Sequence, residues 1–398
     1  MRPRLRLAGP VLRVRRLRRR LRRSAPVQRW SRRVKSWLAI AVLAGCGGPE
    51  PLAPLPEGFP ALPVPDDNPL TAEKVELGRF LFYETALSGN GTQSCGSCHH
   101  QELAFTDGLT KGIGSTGEEH PRNVNSLTNV GYNATLTWAN PTLVQLENQA
   151  LVPLFGEHPI ELQAGDDSLL RLVDDPLYID LFEEAFPERD QPIDWDGVTD
   201  AIASFERTLV SGNSRFDQFT YQGQTDALTE QELRGMLLFF SERLECQHCH
   251  GGFNFTEATT HADQAFDAQI FNNTGLYNVD GEGAYPADNT GLYEFTGEPA
   301  DMGRFRAPSL RNVAVTAPYM HDGSMESLDE VVRFYERGGR LVEDGPNAGD
   351  GAESPLKSGF VAGFTLTDDE RADLIAFLHT LTDEIFLTDE RFSDPFAE

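Results

Sequence analysis

Cys95-Gly-Ser-Cys98-His99 and Cys246-Gln-His-Cys249-His250 are two copies of one pentad, and their reading decides the fold. Two thiols about one helical turn apart can each form a thioether to a vinyl group of haem, while the adjacent histidine offers iron a neutral imidazole. The pattern predicts two covalently bound haem c groups, attached through Cys95, Cys98, Cys246 and Cys249 and ligated by His99 and His250. The chain has 5 cysteines, so only Cys46 is left over and no internal disulfide can form outside the pentads. A zinc site is the competing reading of paired cysteines, but it needs both pairs to converge on one ion and gives the trailing histidines no task.

Cys46 closes the run Leu43-Ala-Gly-Cys46, and residues 1–45 hold fifteen Arg or Lys and no Asp or Glu. This basic stretch ends in the apolar Trp37–Leu43, which is too short for a permanent membrane span and reads as an export signal. The box before Cys46 resembles that of a bacterial lipoprotein, which implies cleavage there, acylation of the thiol and a membrane attachment only through lipid; an ordinary signal peptide is the alternative. Ser31-Arg32-Arg33 carries little weight as a twin-arginine signal in so arginine-rich a segment. Without residues 1–45, 19 basic residues face 61 acidic ones, a formal balance of −42 that excludes nucleic-acid binding. Such a surface keeps an exported protein soluble, and it can also steer a basic redox partner.

A Pro-rich tether occupies 46–65, and the remaining length exceeds what one core usually supports. A weak repeat divides it: Gly78-Arg-Phe-Leu-Phe-Tyr83 precedes the first pentad and Gly235-Met-Leu-Leu-Phe-Phe240 the second. The expected architecture is mostly α, with two cytochrome c-like haem domains related by duplication, one over 66–212 and one over 213–398. Thr229/Glu232, Ser327/Glu330 and Thr367/Glu370 have the spacing of capping boxes at helix starts. Helical periodicity runs from Leu169 to Phe186 and through Val198, Ile202, Phe205 and Leu209. The Gly-, Asn- and Asp-rich stretches 251–303 and 338–362 read as long loops.

Beyond the pentads, Ala104-Phe-Thr-Asp-Gly108, Arg122-Asn123, Ser126-Leu-Thr-Asn129, Phe205–Asn213, Pro308-Ser-Leu-Arg-Asn312 and Ala317-Pro-Tyr-Met-His-Asp-Gly323 are similar to segments of the di-haem cytochrome c peroxidase and MauG superfamily. Leu136–Pro141 and Gln149–Pro159 most resemble its MbnH branch, whose members oxidise a tryptophan of a partner protein, MbnP, to kynurenine. The resemblance implies a periplasmic oxidoreductase that uses hydrogen peroxide to reach a high-valent state shared by two haems. Peroxide detoxification with electrons from a small redox protein and a purely electron-transferring di-haem cytochrome are the alternatives.

In the peroxidases of this superfamily a removable histidine sixteen residues after the first haem histidine blocks that iron; here the position is Ser115. The resemblance therefore implies an open first iron, with His100 and His120 as structural or surface residues. Gln149, Pro153 and Glu161 match the superfamily's distal set, in which Gln149 orients peroxide, Pro153 limits bulk and Glu161 moves the proton that heterolytic O–O cleavage requires. Glu157 and His158 are runners-up. Met325 is implied as the second ligand of the His250 iron, with Met320 the alternative and Met302 less suited. Trp138 matches the aromatic relay between the haems, and Asn123, with backbone carbonyls near Arg306 and Pro308, matches a calcium site.

Overall fold

The computed structural model describes residues 55–265 and 269–397. The lipidation residue Cys46 and the export segment lie outside them. The described residues are mostly helical, with two antiparallel two-stranded ribbons as the only sheets among them: β1 (Phe271–Asn272) with β2 (Phe305–Arg306), and β3 (Leu341–Val342) with β4 (Gly349–Asp350). The helices are α1 (Ala72–Tyr83), α2 (Leu146–Phe155), α3 (Asp166–Val173), α4 (Pro176–Ala185), α5 (Trp195–Arg207), α6 (Arg215–Thr220), α7 (Glu230–Phe239), α8 (Gln247–His250), α9 (Tyr293–Thr296), α10 (Leu328–Arg337) and α11 (Asp368–His379). No described helix is long and apolar enough to cross a membrane.

All three capping boxes form, at the starts of α7, α10 and α11, so each first turn has its orphan N–H groups answered by Thr229, Ser327 or Thr367. The periodic run from Leu169 to Phe186 is two helices rather than one. Pro176 cannot donate to the preceding turn, and Asp175 instead caps a new start by accepting from Leu177 N.

Two helix crossings organise the cores. Helix α1 packs along α5, and α7 along α11. Each crossing needs a glycine: a Cβ on Gly78 would lie 1.9 Å from the Ala201 carbonyl oxygen, and one on Gly235 would lie 1.9 Å from that of Asp373. The same aromatic pair lies beneath each, Phe82 on Phe205 with ring centroids 5.2 Å apart and Phe239 on Phe377 at 5.3 Å. Leu77, Leu81, Phe82, Phe105 and Phe205 are fully buried in the first core, while Phe239, Phe255 and Phe377 anchor the second. A third cluster, built from Trp138, Tyr285, Phe305, Met325 and Phe334, joins residues from both chain halves.

A buried polar spine links the halves. The Asp383 carboxylate accepts from Ser211 Oγ, Gly212 N and Asn213 N at 3.2, 3.1 and 2.9 Å. Asn129 accepts from Ser211 N and donates to Asn254, while Asn312 donates to Ser211 Oγ and accepts from Asp383 N. Nearby, Arg311 and Asp217 form an ion pair at 2.8 Å with both side chains withdrawn from solvent. The buried donors of Ser211, Gly212, Asn213 and Arg311 thereby keep acceptors, without which their burial would be costly.

Candidate functional site

The two pentads sit at equivalent places after the two crossings, with Cys95 packed on the first core and Cys246 on the second. Four free thiols divided between separate cores do not form one metal site, which removes the zinc reading. Burial pushes the thiols of Cys98, Cys246 and Cys249 up to about 11, 12 and 12, and that of Cys95 higher still. Thiols held neutral in apolar surroundings suit thioether attachment better than thiolate coordination.

Both pentad histidines are prepared for iron in the same way. His99 Nδ1 lies 2.7 Å from the Phe105 carbonyl oxygen, and His250 Nδ1 lies 3.1 Å from that of Pro308 and 3.3 Å from that of Phe255. A carbonyl accepts only from a protonated Nδ1, so each Nε2 keeps its lone pair, as a second-shell bond does for a ligating histidine. Phe105 and Phe255 reach these positions through left-handed backbone, φ 63° and 49°. Desolvation lowers both imidazoles, His250 to about 4, keeping them neutral and able to ligate.

An apolar cavity lies against the second pentad, lined by Cys246, Cys249, His250, Met320, Tyr335 and Arg306 among others. Arg306 was not anticipated as a side-chain participant. It is buried, its guanidinium donates only to the neutral oxygens of Thr137 and Asn125, and it is lowered to about 10 by desolvation. A buried guanidinium without a carboxylate partner is expensive, and an acidic substituent of a macrocycle in that cavity would answer it. The cavity, the thiols, the prepared imidazole and this cation together fit a haem.

Met320 lines the cavity, whereas Met325 is buried in the third cluster and its carbonyl accepts from Tyr319 N at 2.7 Å. Trp138 also lines the cavity; its indole N–H donates to Asn123 O at 2.8 Å, and its own carbonyl accepts from Arg306 N. One residue is thus pinned by segments of both halves. Asn123 is buried, with its side-chain amide donating to Leu109 O. His321, stacked on Phe305 with ring centroids 3.5 Å apart, is lowered to about 3 by burial and is neutral.

Gln149 and Pro153 occur on α2, both half-buried, and α2 contributes Leu154 to the first core, on which Cys95 also packs. Glu161 follows on a segment tied back to that helix, where Leu162 N donates to Pro153 O and Ala164 N to Leu154 O. The Glu161 carboxylate is close enough to affect His99, Cys95 and Cys98 electrostatically, and it lies 3.3 Å from His120 Nε2. Glu157 and His158 are exposed. Ser115 N donates to Glu161 O at 2.7 Å. Sequence spacing gave no sign of the contact between His120 and Glu161, because they lie 41 positions apart with the whole of α2 between them.

Glu206 is a second residue the sequence hides. It is buried on α5 with one oxygen lacking a partner, and desolvation raises it to about 8. Its neighbour Arg207 is taken instead by Glu147 at 2.8 Å.

The family described as di-haem cytochrome c peroxidase matches residues 72–226. Cytochrome-c peroxidase IdrP1 of Denitromonas iodatirespirans is 37% identical over 373 residues, spanning 87% of this chain and 92% of its own. The chain belongs to the di-haem cytochrome c peroxidase and MauG family. Within this family of oxidoreductases, MauG of Methylorubrum extorquens is 33% identical over 81% of this chain and 82% of its own. A crystal structure of a MauG-like protein associated with microbial copper homeostasis is 52% identical, spans 86% of this chain and 99% of that one, and superposes with a TM-score of 0.84. The di-haem peroxidase BthA of Burkholderia thailandensis, 21% identical with a TM-score of 0.63, shares the fold. Membership implies two haem c cofactors.

Proposed function

We propose that this family member is a MauG-type enzyme of the periplasm, which uses hydrogen peroxide to oxidise a tryptophan on an MbnP-like partner protein. The observation that carries this reading is at Ser115. The position that holds a removable histidine in the peroxidases carries a hydroxyl here, and its backbone is fastened to the segment of Glu161. His99 would hold the first iron, and no histidine at position 115 would block it. His250 would hold the second iron together with a thioether from the loop Tyr319–Met325, a ligand that would raise its potential; Met325 is the ligand proposed and Met320 the alternative. The likeness to a protein associated with copper homeostasis supports the choice of partner.

When bound, the two haems supply the redox chemistry, peroxide reduction and storage of the oxidising equivalents. The chain's own residues handle proton and position. Gln149 orients peroxide, Pro153 keeps bulk away, and Glu161 takes a proton from the inner oxygen and returns it to the outer one, a role worth about 10²- to 10⁴-fold in rate. Trp138, held by Asn123 O and Arg306 N, relays electrons between the halves. Asn123 and neighbouring carbonyls hold calcium, whose hard-oxygen preference they meet.

The two halves, 66–212 and 213–398, are proposed to be duplicated haem domains. The matched glycine crossings, aromatic pairs and left-handed Phe105 and Phe255 support this. Lipid anchoring at Cys46 completes the reading.

Electron paramagnetic resonance of the oxidised protein tests the open iron, expecting one high-spin and one low-spin haem. Mass spectrometry of an MbnP-like protein treated with enzyme and peroxide tests the substrate, expecting a gain of oxygen on one tryptophan. Two low-spin haems and an unmodified partner would instead support the switch-activated peroxidase reading.

A further inference from the structure

We propose that His120 is the positioning residue for Glu161, carried on a hairpin fixed in place as one wall of the peroxide site. This rests on the reading of Glu161 as the proton-transferring group.

The segment from Gly112 to His120 closes on itself. His120 N donates to Gly112 O, Gly114 N to Glu118 O, and Ile113 pairs with Glu119. Gly117 supplies the turn with φ 86°, a left-handed value that L side chains resist.

This hairpin is then fastened to the Glu161 segment at three points. Ser115 N donates to Glu161 O at 2.7 Å, and Ile160 N donates to Glu118 Oε2 at 3.2 Å. Gly114 lies so close to the Ile160 carbonyl that a Cβ would come within 1.8 Å of its oxygen. Two further donors, Asn90 Nδ2 to Ser115 O and Gln93 Nε2 to Ile113 O, tie the hairpin to the chain just before the first pentad.

The tip of this arrangement is the contact between His120 Nε2 and Glu161 Oε1 at 3.3 Å, with the two side chains 25% and 30% exposed. A carboxylate on a free chain samples several rotamers. One held from its backbone by Ser115 and from its side chain by His120 does not, and orientation of a proton-transferring group carries much of its rate. Asp107 is the other acid facing this region: its buried Oδ2 has no partner and, like the His120 Cβ, lies just under 4 Å from where a Gly112 Cβ would stand. Glu118 is already committed to Ile160 N. The imidazole is therefore the group engaging the Glu161 side chain.

The holoprotein carrying H120F, H120Q, E161Q or H120F with E161Q tests this. H120F keeps a ring but no donor, and H120Q restores an N–H. The readouts are the second-order rate of reaction with peroxide, the affinity of fluoride for the oxidised first haem, and the resting spin state. H120F is expected to slow the reaction about 10-fold or more, with H120Q within about 3-fold of wild type. Fluoride affinity should follow the same order, resting spectra should not change, and the double variant should be no slower than E161Q alone.

The proposal is overturned if H120F and H120Q are equally impaired, which makes His120 structural, or if both react like the wild type. It is also overturned if H120F turns a six-coordinate first haem into a high-spin one, which makes His120 an iron ligand. An E161Q variant with undiminished rate would instead remove the underlying reading of Glu161, whatever His120 does.

Discussion

Replacing Gly78 by alanine should be among the most damaging single-methyl additions to this protein, and replacing Gly235 should match it. At Gly78 the added Cβ meets Ala201 O at 1.9 Å, Ala201 C at 2.6 Å and Phe205 Cβ at 2.9 Å; at Gly235 it meets Asp373 O at 1.9 Å, Asp373 C at 2.6 Å and Phe377 Cβ at 2.8 Å. Real Cβ atoms essentially never come within 3.0 Å of such atoms, so α1 must retreat from α5, and α7 from α11, by roughly 1 Å. The first obstacle is a backbone carbonyl on a neighbouring helix, which no rotamer change can move. Overpacking of this kind costs about 1–3 kcal/mol or somewhat more, offset only slightly by the higher helix propensity of alanine.

Helix α1 also ends at Tyr83, whose ring would be 2.4 Å from a Cβ on Gly96 inside the first pentad. A retreat of α1 therefore displaces that haem site, and a misplacement near 1 Å costs on the order of 10²-fold in rate. Denaturant unfolding of G78A, G235A and the control G117A, whose Cβ meets nothing within 4 Å but whose φ of 86° makes it a test of backbone strain alone, separates the effects. Peroxide kinetics on G78A give the functional arm. The reasoning fails if G78A and G235A lose no more stability than G117A, or if the two differ widely from each other.

Glu206 predicts a pH dependence of stability. Its folded value near 8 lies above the ordinary 4.5, so between those limits the folded state holds a proton that the unfolded state has released. Stability is then lost as pH rises through this window, by about 1.4 kcal/mol per pH unit, and E206Q should flatten the slope in unfolding titrations from pH 5 to 8. For the second iron, M325A should abolish the methionine-to-iron charge-transfer band of the oxidised protein while M320A preserves it; the reverse result assigns Met320. D383A strands the donors of Ser211, Gly212 and Asn213 and should cost about 3 kcal/mol or more by denaturant unfolding. An unchanged midpoint for D383A would show that the spine is not what joins the halves.

The pentads and capping boxes were legible because each is a local pattern whose chemistry acts within four residues. The repeat before each pentad was also legible, though its cause was not: Gly78 and Gly235 are required by helices that return more than 120 residues later. The segments quoted for family resemblance divide once placed in three dimensions. Asn129, Ser211 and Asn312 hold the halves together, whereas Asp107 and His321 stand at the sites themselves. Nothing in a linear motif distinguishes a structural asparagine from a functional one. The contact of His120 with Glu161 and the isolation of Arg306 were illegible for the complementary reason. Their significance lies in a partner, or in the lack of one, and burial created both conditions.

The spine around Asp383 has a consequence for how the enzyme handles charge. Electron tunnelling falls steeply with distance, so two redox centres that act as one must be kept at a fixed gap through every turnover. On the proposed reading of 66–212 and 213–398 as two haem domains, the Asp383 carboxylate clamps residues 211–213 at their junction and acts as a spacer between the redox centres. On that reading, truncation before Asp383 is expected to uncouple the two haems electrically even where both stay attached.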